Sequence, residues 1–330
     1  ITGIVGNALN MLVLRDKKMK RAYFLFYCIA LSDIFFFFAL APAWLASYKF
    51  FAQDMLFRHL FFNIKVHFYG FANWVSAFNI WVVCLISLER FIAVHDPMRT
   101  NRMELAGLTN KRVILVIIIL TFIFTSYVHY NTLCKVKQLC HGTQLAQACM
   151  DVRADWSRFG GKNPSPAWLR QLVAVLRYAH AGIAIALPLI VVILFNVLLI
   201  YHAQNVGFSF NGSANKTNQQ RMENRVTNIA IVIVSVFLVT NLPSAVILVF
   251  HTLYPFSQNS MVDDKSMPSY TAQVICSFLS MAGKALNFII FCTLSENFRR
   301  RLRTKILCGS LAQSSGIEVD PKKRIRRFNL

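Results

Sequence analysis

The stretch FYGFANWVSAFNIWVVCLISLERF, residues 68–91, decides how this chain folds. From Phe68 to Leu88 it holds no Asp, Glu, Lys or Arg. Glu89 and Arg90 then stand side by side, followed by Phe91-Ile92-Ala93-Val94-His95-Asp96-Pro97. A helix needs about 20 apolar residues to cross roughly 30 Å of hydrocarbon, and this run supplies them. An arginine at the rim of such a helix is costly unless paired, which marks it as a functional site.

The rest of the chain repeats the pattern. Of its 330 residues 56% are hydrophobic, 29 are Phe and only 15% are charged. The mean hydropathy is +0.48. A soluble domain rarely carries so much apolar surface. Residues 178–215 and 226–262 are also free of Asp, Glu, Lys and Arg. Seven spans follow from such runs: 1–14, 23–47, 66–94, 113–130, 178–202, 226–252 and 270–294. Backbone groups cannot stay unpaired in lipid, so the spans are helices or barrel strands. They are too long and too evenly apolar for strands, which alternate over about 10 residues. The fold class is an all-α membrane protein, a seven-transmembrane helix bundle over 1–294. The first span would reach only about 21 Å at about 1.5 Å per residue, so it is expected to be truncated, with an outer N-terminal segment before it.

The net charge of +21 has a plainer source than nucleic acid. Of 35 Lys and Arg, 22 lie in the segments that join spans one to two, three to four and five to six, and in the tail. The other three connections hold 11. The richer set is expected in the cytoplasm. That places Glu89, Arg90 and the C-terminus inside a multi-pass protein of the plasma membrane.

Beyond the last span, Ser295 can cap a new helix. Leu294, Phe298, Leu302 and Ile306 form a stripe flanked by Arg299, Arg300, Arg301, Arg303 and Lys305. This predicts a short amphipathic eighth helix over 295–308 on the inner leaflet, with membrane lipid as its partner. A calmodulin-type target helix is the rival reading of the same stripe. Cys308 is a candidate for palmitoylation. Residues 309–330 read as a disordered basic cytoplasmic tail.

Ionisable groups inside the spans are few. Asp33 lies in span two and Lys284 in span seven. Each is expensive alone, so the two should meet. With Asn7, Asn79, Asn241 and Asn287 they define one expected interior polar network. Of the eight Cys, Cys134, Cys140 and Cys149 share the connection between spans four and five. An oxidising compartment favours a disulfide there, and three cysteines leave the pairing open. The eight His show no metal-ligand spacing, so no metal and no cofactor is expected. Phosphate-loop and nucleophile motifs are missing, which argues against an enzyme. A transporter or channel using the Asp33–Lys284 pair is the alternative.

The ordered set of motifs resembles the rhodopsin-like (class A) G-protein-coupled receptors. Gly6-Asn7, Asp33, Glu89-Arg90-Phe91, Pro188, Phe237 with Pro243, and Asn287-Phe288-Ile289-Ile290-Phe291 each match a helix signature of that family. The resemblance implies a receptor that binds an extracellular ligand and activates a heterotrimeric G protein. It implies that Arg90 pairs with Glu89 at rest, and that Glu223 locks the base of span six to Arg90. It implies that Phe237 and Pro243 form the hinge of span six. In the family the counterpart of Asp33 helps bind sodium; here Lys284 is expected to take that ion's place.

Departures from the family pattern are equally informative. Lys65 stands where span three usually opens with a disulfide cysteine. Span four has no Trp. Span six reads Thr240-Asn241-Leu242-Pro243, and Asn196 and Phe291 replace expected tyrosines. Ala72 stands where aminergic members carry an Asp, and Met281 where opsins carry the retinal lysine. The long connection 131–177 suits a peptide ligand. Its seven basic residues against two acidic ones favour an acidic or neutral one. Thr240-Asn241-Leu242-Pro243, with the end of span seven, resembles invertebrate neuropeptide receptors of the FMRFamide type.

Overall fold

A computed structural model describes residues 1–15, 23–95, 106–141, 144–154, 163–205, 218–253 and 266–315. Helices dominate it: α1 Thr2–Leu14, α2 Phe24–Leu45, α3 Lys49–Gln53, α4 Met55–His95, α5 Ala106–Thr125, α6 Ala167–Ala179, α7 Leu187–Asn205, α8 Asn218–Leu253, α9 Ser266–Leu294 and α10 Glu296–Ser315. Two strands, β1 Thr132–Leu139 and β2 Gln144–Asp151, form an antiparallel hairpin. Six helical stretches among the described residues are long and apolar enough to cross a membrane, and Thr2–Leu14 is a shorter apolar helix.

The spans pack in sequence order with closure at the ends. α2 lies against α1 and α4, α8 against α9, and α1 returns to α9. α4 runs through the middle and also meets α5, α7 and α8. One apolar core joins Val13, Phe26, Val82, Ile86, Ile229, Phe291 and Phe298, which ties both chain ends to the centre. The opposite faces are apolar and open: Leu115, Val116, Ile119 and Phe122 of α5, and Ile190, Leu194 and Val197 of α7 are exposed. Apolar residues facing outward in such numbers are what a lipid-facing surface requires.

Several boundaries differ from the sequence expectation. Span three begins at Met55, not at 66, and spans 41 residues. At about 1.5 Å per residue this is roughly 60 Å, twice the hydrocarbon thickness. The helix continues outward because Leu56, Leu60 and Ile64 keep its four-residue period. Asp54 starts it, accepting the Leu56 and Phe57 amides at 3.2 and 3.3 Å. Span five likewise starts earlier, since α6 runs through a π-helical stretch, His180–Ala186, into α7. Pro188 just beyond it lacks an amide hydrogen, and the wider turn relieves the crowding that a proline ring imposes. Most of the expected outer loop 131–177 is therefore hairpin or helix.

α10 covers the expected surface helix and continues past 308 to Ser315. Ser295 Oγ accepts the Phe298 amide at 3.2 Å, closing its first turn. Arg299 donates to the carbonyls of Cys292 and Thr293, both at 2.8 Å, and so satisfies the open end of α9. Lys305 donates to the Leu12 carbonyl, pinning α10 to α1. Residues 316–330 of the expected tail lie outside the described residues.

Candidate functional site

The centre of the bundle holds an ion pair in an apolar shell. Asp33 sits near the middle of α2 and is fully buried. Lys284 sits on α9, 4% exposed, and its Nζ donates to Asp33 Oδ1 at 3.1 Å. Asn79 of α4 donates to the same oxygen at 2.6 Å. Asn287, one turn after Lys284, donates to Oδ2 at 2.8 Å. The carboxylate thus has three donors from two other helices, which is what a buried charge needs. Lys284 Nζ also lies 4.7 Å from the centre of the Phe36 ring, over its electron-rich face.

Two side branches extend this centre. Asn7 of α1 donates to the Lys284 carbonyl at 3.2 Å and to the Gly3 carbonyl at 2.9 Å. Asn241 of α8 accepts from Ser280 Oγ at 2.7 Å rather than bonding the carboxylate. Of the six polar residues expected to form one network, four form a core, Asn7 is tied to it through the Lys284 carbonyl, and Asn241 bonds Ser280 across the cavity instead. A small cavity bounded by Asn79, Phe237, Asn241, Gly283, Lys284 and Asn287 lies between core and branch. Gly283 makes that arrangement possible: a Cβ there would stand 2.4 Å from Thr240 Oγ1.

Span six carries Phe237 on the cavity wall and Pro243 inside the helix. The proline cannot donate to the carbonyl one turn back, so the helix is weakened there. Below it, Asn196 of α7 donates to Ser235 Oγ at 3.2 Å.

At the end of span three the Arg90 side chain is 4% exposed and lies 3.0 Å from Glu89 Oε1. The neighbouring Phe91 ring meets Phe195 of α7 at 5.2 Å. The backbone of Glu223 lies in α8, which starts at Asn218, ahead of the expected start of span six at 226. The side chains of Glu223 and Cys308 lie outside the described residues.

At the other end of the bundle a hairpin covers span three. Cys134 and Cys149 face each other across β1 and β2 and are joined by a disulfide. Cys140 stands at the start of the turn with φ 53° and takes no part in that bond. Gln147 donates to the Phe62 carbonyl at 2.6 Å, and Arg58 donates to the Leu145 carbonyl. These polar ties hold the hairpin on α4 near Lys65, which stands where the family usually places a disulfide cysteine. Asp151, at the end of β2, meets Arg153 at 3.4 Å and Arg177 at 3.5 Å.

Several contributing residues were not singled out from sequence. Phe36 lies three residues after Asp33 on the same helix face and sets its ring beneath the Lys284 ammonium, and Ser280, four before Lys284 on its face, donates to Asn241. Trp74 of α4 donates to the Ile118 carbonyl of α5 at 3.2 Å. It supplies from span three an indole that span four lacks.

Comparison with known proteins agrees with this architecture. Residues 6–291 match the family described as 7 transmembrane receptor (rhodopsin family). The chain is 32% identical over 322 residues to the Caenorhabditis elegans protein F59B2.13, itself assigned to the G-protein coupled receptors, covering 95% of this chain and 72% of that protein. It is 25% identical to the allatostatin-A receptor of Bombyx mori, over 93% of this chain and 77% of that receptor. It is 24% identical to somatostatin receptor type 4 of Rattus norvegicus, over 97% of this chain and 74% of that receptor. Rhodopsin-family proteins are receptors and not enzymes. The chain belongs to the rhodopsin family of seven-transmembrane G-protein-coupled receptors.

Proposed function

We propose that this receptor sits in the plasma membrane with its C-terminus in the cytoplasm, binds a neuropeptide outside, and activates a heterotrimeric G protein inside. The observation that carries the peptide reading is the disulfide-closed hairpin lying along the outer extension of α4. It offers a broad polar surface, which a peptide can cover and a small amine cannot. The alignment with receptors named for allatostatin-A and somatostatin supports it. Excess Lys and Arg on the connections at the Arg90 end support the orientation.

In this reading the ligand shifts an existing balance between closed and open states. Arg90 is held at rest by Glu89 and Glu223. Movement of span six about Phe237 and Pro243 frees it and opens a cleft for the G protein. The network of Asn7, Asp33, Asn79, Asn241, Lys284 and Asn287 links span two to span seven and transmits the shift. α10 lies on the inner leaflet, and Cys308 carries a fatty acyl anchor. The transport alternative through Asp33 and Lys284 is not favoured, because the family and the relatives are receptors.

The test is a peptide library applied to cells that express the chain, read by dissociation of G-protein subunits. Neutral and acidic peptides should contain the activator. Activation only by amines or lipids would overturn the peptide reading.

A further inference from the structure

Span three and span four end side by side at the face that carries the hairpin, and each brings one histidine there. His67 of α4 and His129, in the helical turn Ser126–His129 that follows α5, are 62 residues apart in sequence. In space their Nδ1 atoms are 3.1 Å apart, with ring centres 5.3 Å apart. No regular sequence spacing could show this pair.

The distance has a chemical meaning. Two neutral imidazole nitrogens this close share one proton, one donating and the other accepting. A metal ion can take the place of that proton. With Zn–N bonds of about 2.0–2.1 Å and tetrahedral angles, two imidazole nitrogens stand about 3.3 Å apart. The observed separation is within a few tenths of an ångström of that bite.

The rings are also held in position. His129 lies over Gly70, one helical turn from His67, so closely that a Cβ on Gly70 would stand 2.5 Å from the ring. A glycine is required for this contact. His67 is exposed, so water can reach the pair and complete a coordination shell. The nearest lysine in sequence, Lys65, turns its ammonium over the Phe62 ring, 5.3 Å from its centre. Among the described residues no third His, Cys, Asp or Glu joins the pair. The open positions therefore fall to water, which makes the site reversible rather than a structural centre.

We propose that His67 and His129 bind a divalent transition metal of the zinc class and clip span three to span four. Imidazole pairs select Zn2+, Cu2+ and Ni2+, whereas Ca2+ and Mg2+ demand oxygen ligands. The proposal needs neither an agonist nor a G protein, so it stands or falls apart from the function proposed above.

The test uses the purified full chain, freed of any histidine tag, in lipid nanodiscs. Zinc chloride should raise the thermal midpoint by roughly 2–4 °C at an excess over its dissociation constant, reversibly with chelator. Calcium and magnesium chloride should not. His67→Ala and His129→Ala should each remove the zinc shift, and Gly70→Ala should weaken it by displacing the ring while keeping both histidines. Should a histidine variant fail to fold, the wild-type chain decides alone: the electron paramagnetic resonance spectrum of bound Cu2+ should show coupling to two nitrogens. A zinc shift that survives in both folded variants, or a copper spectrum with fewer than two nitrogens, overturns the site.

Discussion

Lys284 Nζ lies 3.1 Å from Asp33 Oδ1, a contact that joins two residues 251 positions apart and ties span seven to span two. Both are buried, and the carboxylate takes further bonds from Asn79 and Asn287. A buried pair of this kind adds little over a well-packed apolar pair, but breaking one side is severe.

Lys284→Met alone should lower stability by about 3–5 kcal/mol, because it strands the Asp33 charge. Asp33→Asn combined with Lys284→Met should recover much of that loss, since no unpaired charge is left buried and the amide oxygen still accepts from one of the two asparagines. Thermal unfolding of the purified variants measures both. Additive losses would mean the pair is not coupled.

Sodium should leave agonist affinity unchanged, because the Lys284 ammonium already neutralises Asp33. Radioligand competition in sodium chloride against choline chloride at equal ionic strength checks this. Lys284→Ser should make affinity sensitive to sodium. A sodium effect in the wild-type receptor would contradict the assignment.

Glu223→Gln should raise basal signalling several-fold at equal surface expression, if the carboxylate restrains Arg90 as proposed. The readout is ligand-free G-protein dissociation. Unchanged basal signal would remove Glu223 from the lock and leave Glu89 as the partner of Arg90.

Removing the hairpin disulfide by Cys134→Ala and Cys149→Ala should loosen the outer cap. Closing a loop of this size is worth about 3 kcal/mol in chain entropy. Peptide affinity should fall by at least tenfold, while the amount of folded receptor in the membrane changes less. Undiminished affinity would place the ligand away from the hairpin.

The charged centre was legible in the sequence for a simple reason. One acid and one lysine in otherwise apolar helices have nowhere else to go, so Asp33 and Lys284 declare each other. Their aromatic support was not legible, because Phe36 is one of four consecutive phenylalanines and only packing selects the ring beneath Lys284. Span ends were hidden for another reason. The apolar period of Leu56, Leu60 and Ile64 continues past the membrane, so composition marks where lipid ends and not where the helix ends. The hairpin strands are short and carry Lys135 and Lys137 among apolar residues, which leaves their alternation weak. Asn241 looked like a member of the charged core because depth along a span can be counted; its rotation toward Ser280 depends on packing between α8 and α9.

The central claim is that Arg90, buried beside Glu89 at the cytoplasmic end of span three, couples an outside signal to a G protein. Nucleotide exchange on purified heterotrimer tests it, using membranes that carry either the wild-type chain or Arg90→Ala with the activating peptide. The account predicts peptide-stimulated exchange by the wild type and loss of at least nine-tenths of it in the variant, at matched expression and peptide binding. Equal exchange in both membranes would contradict it.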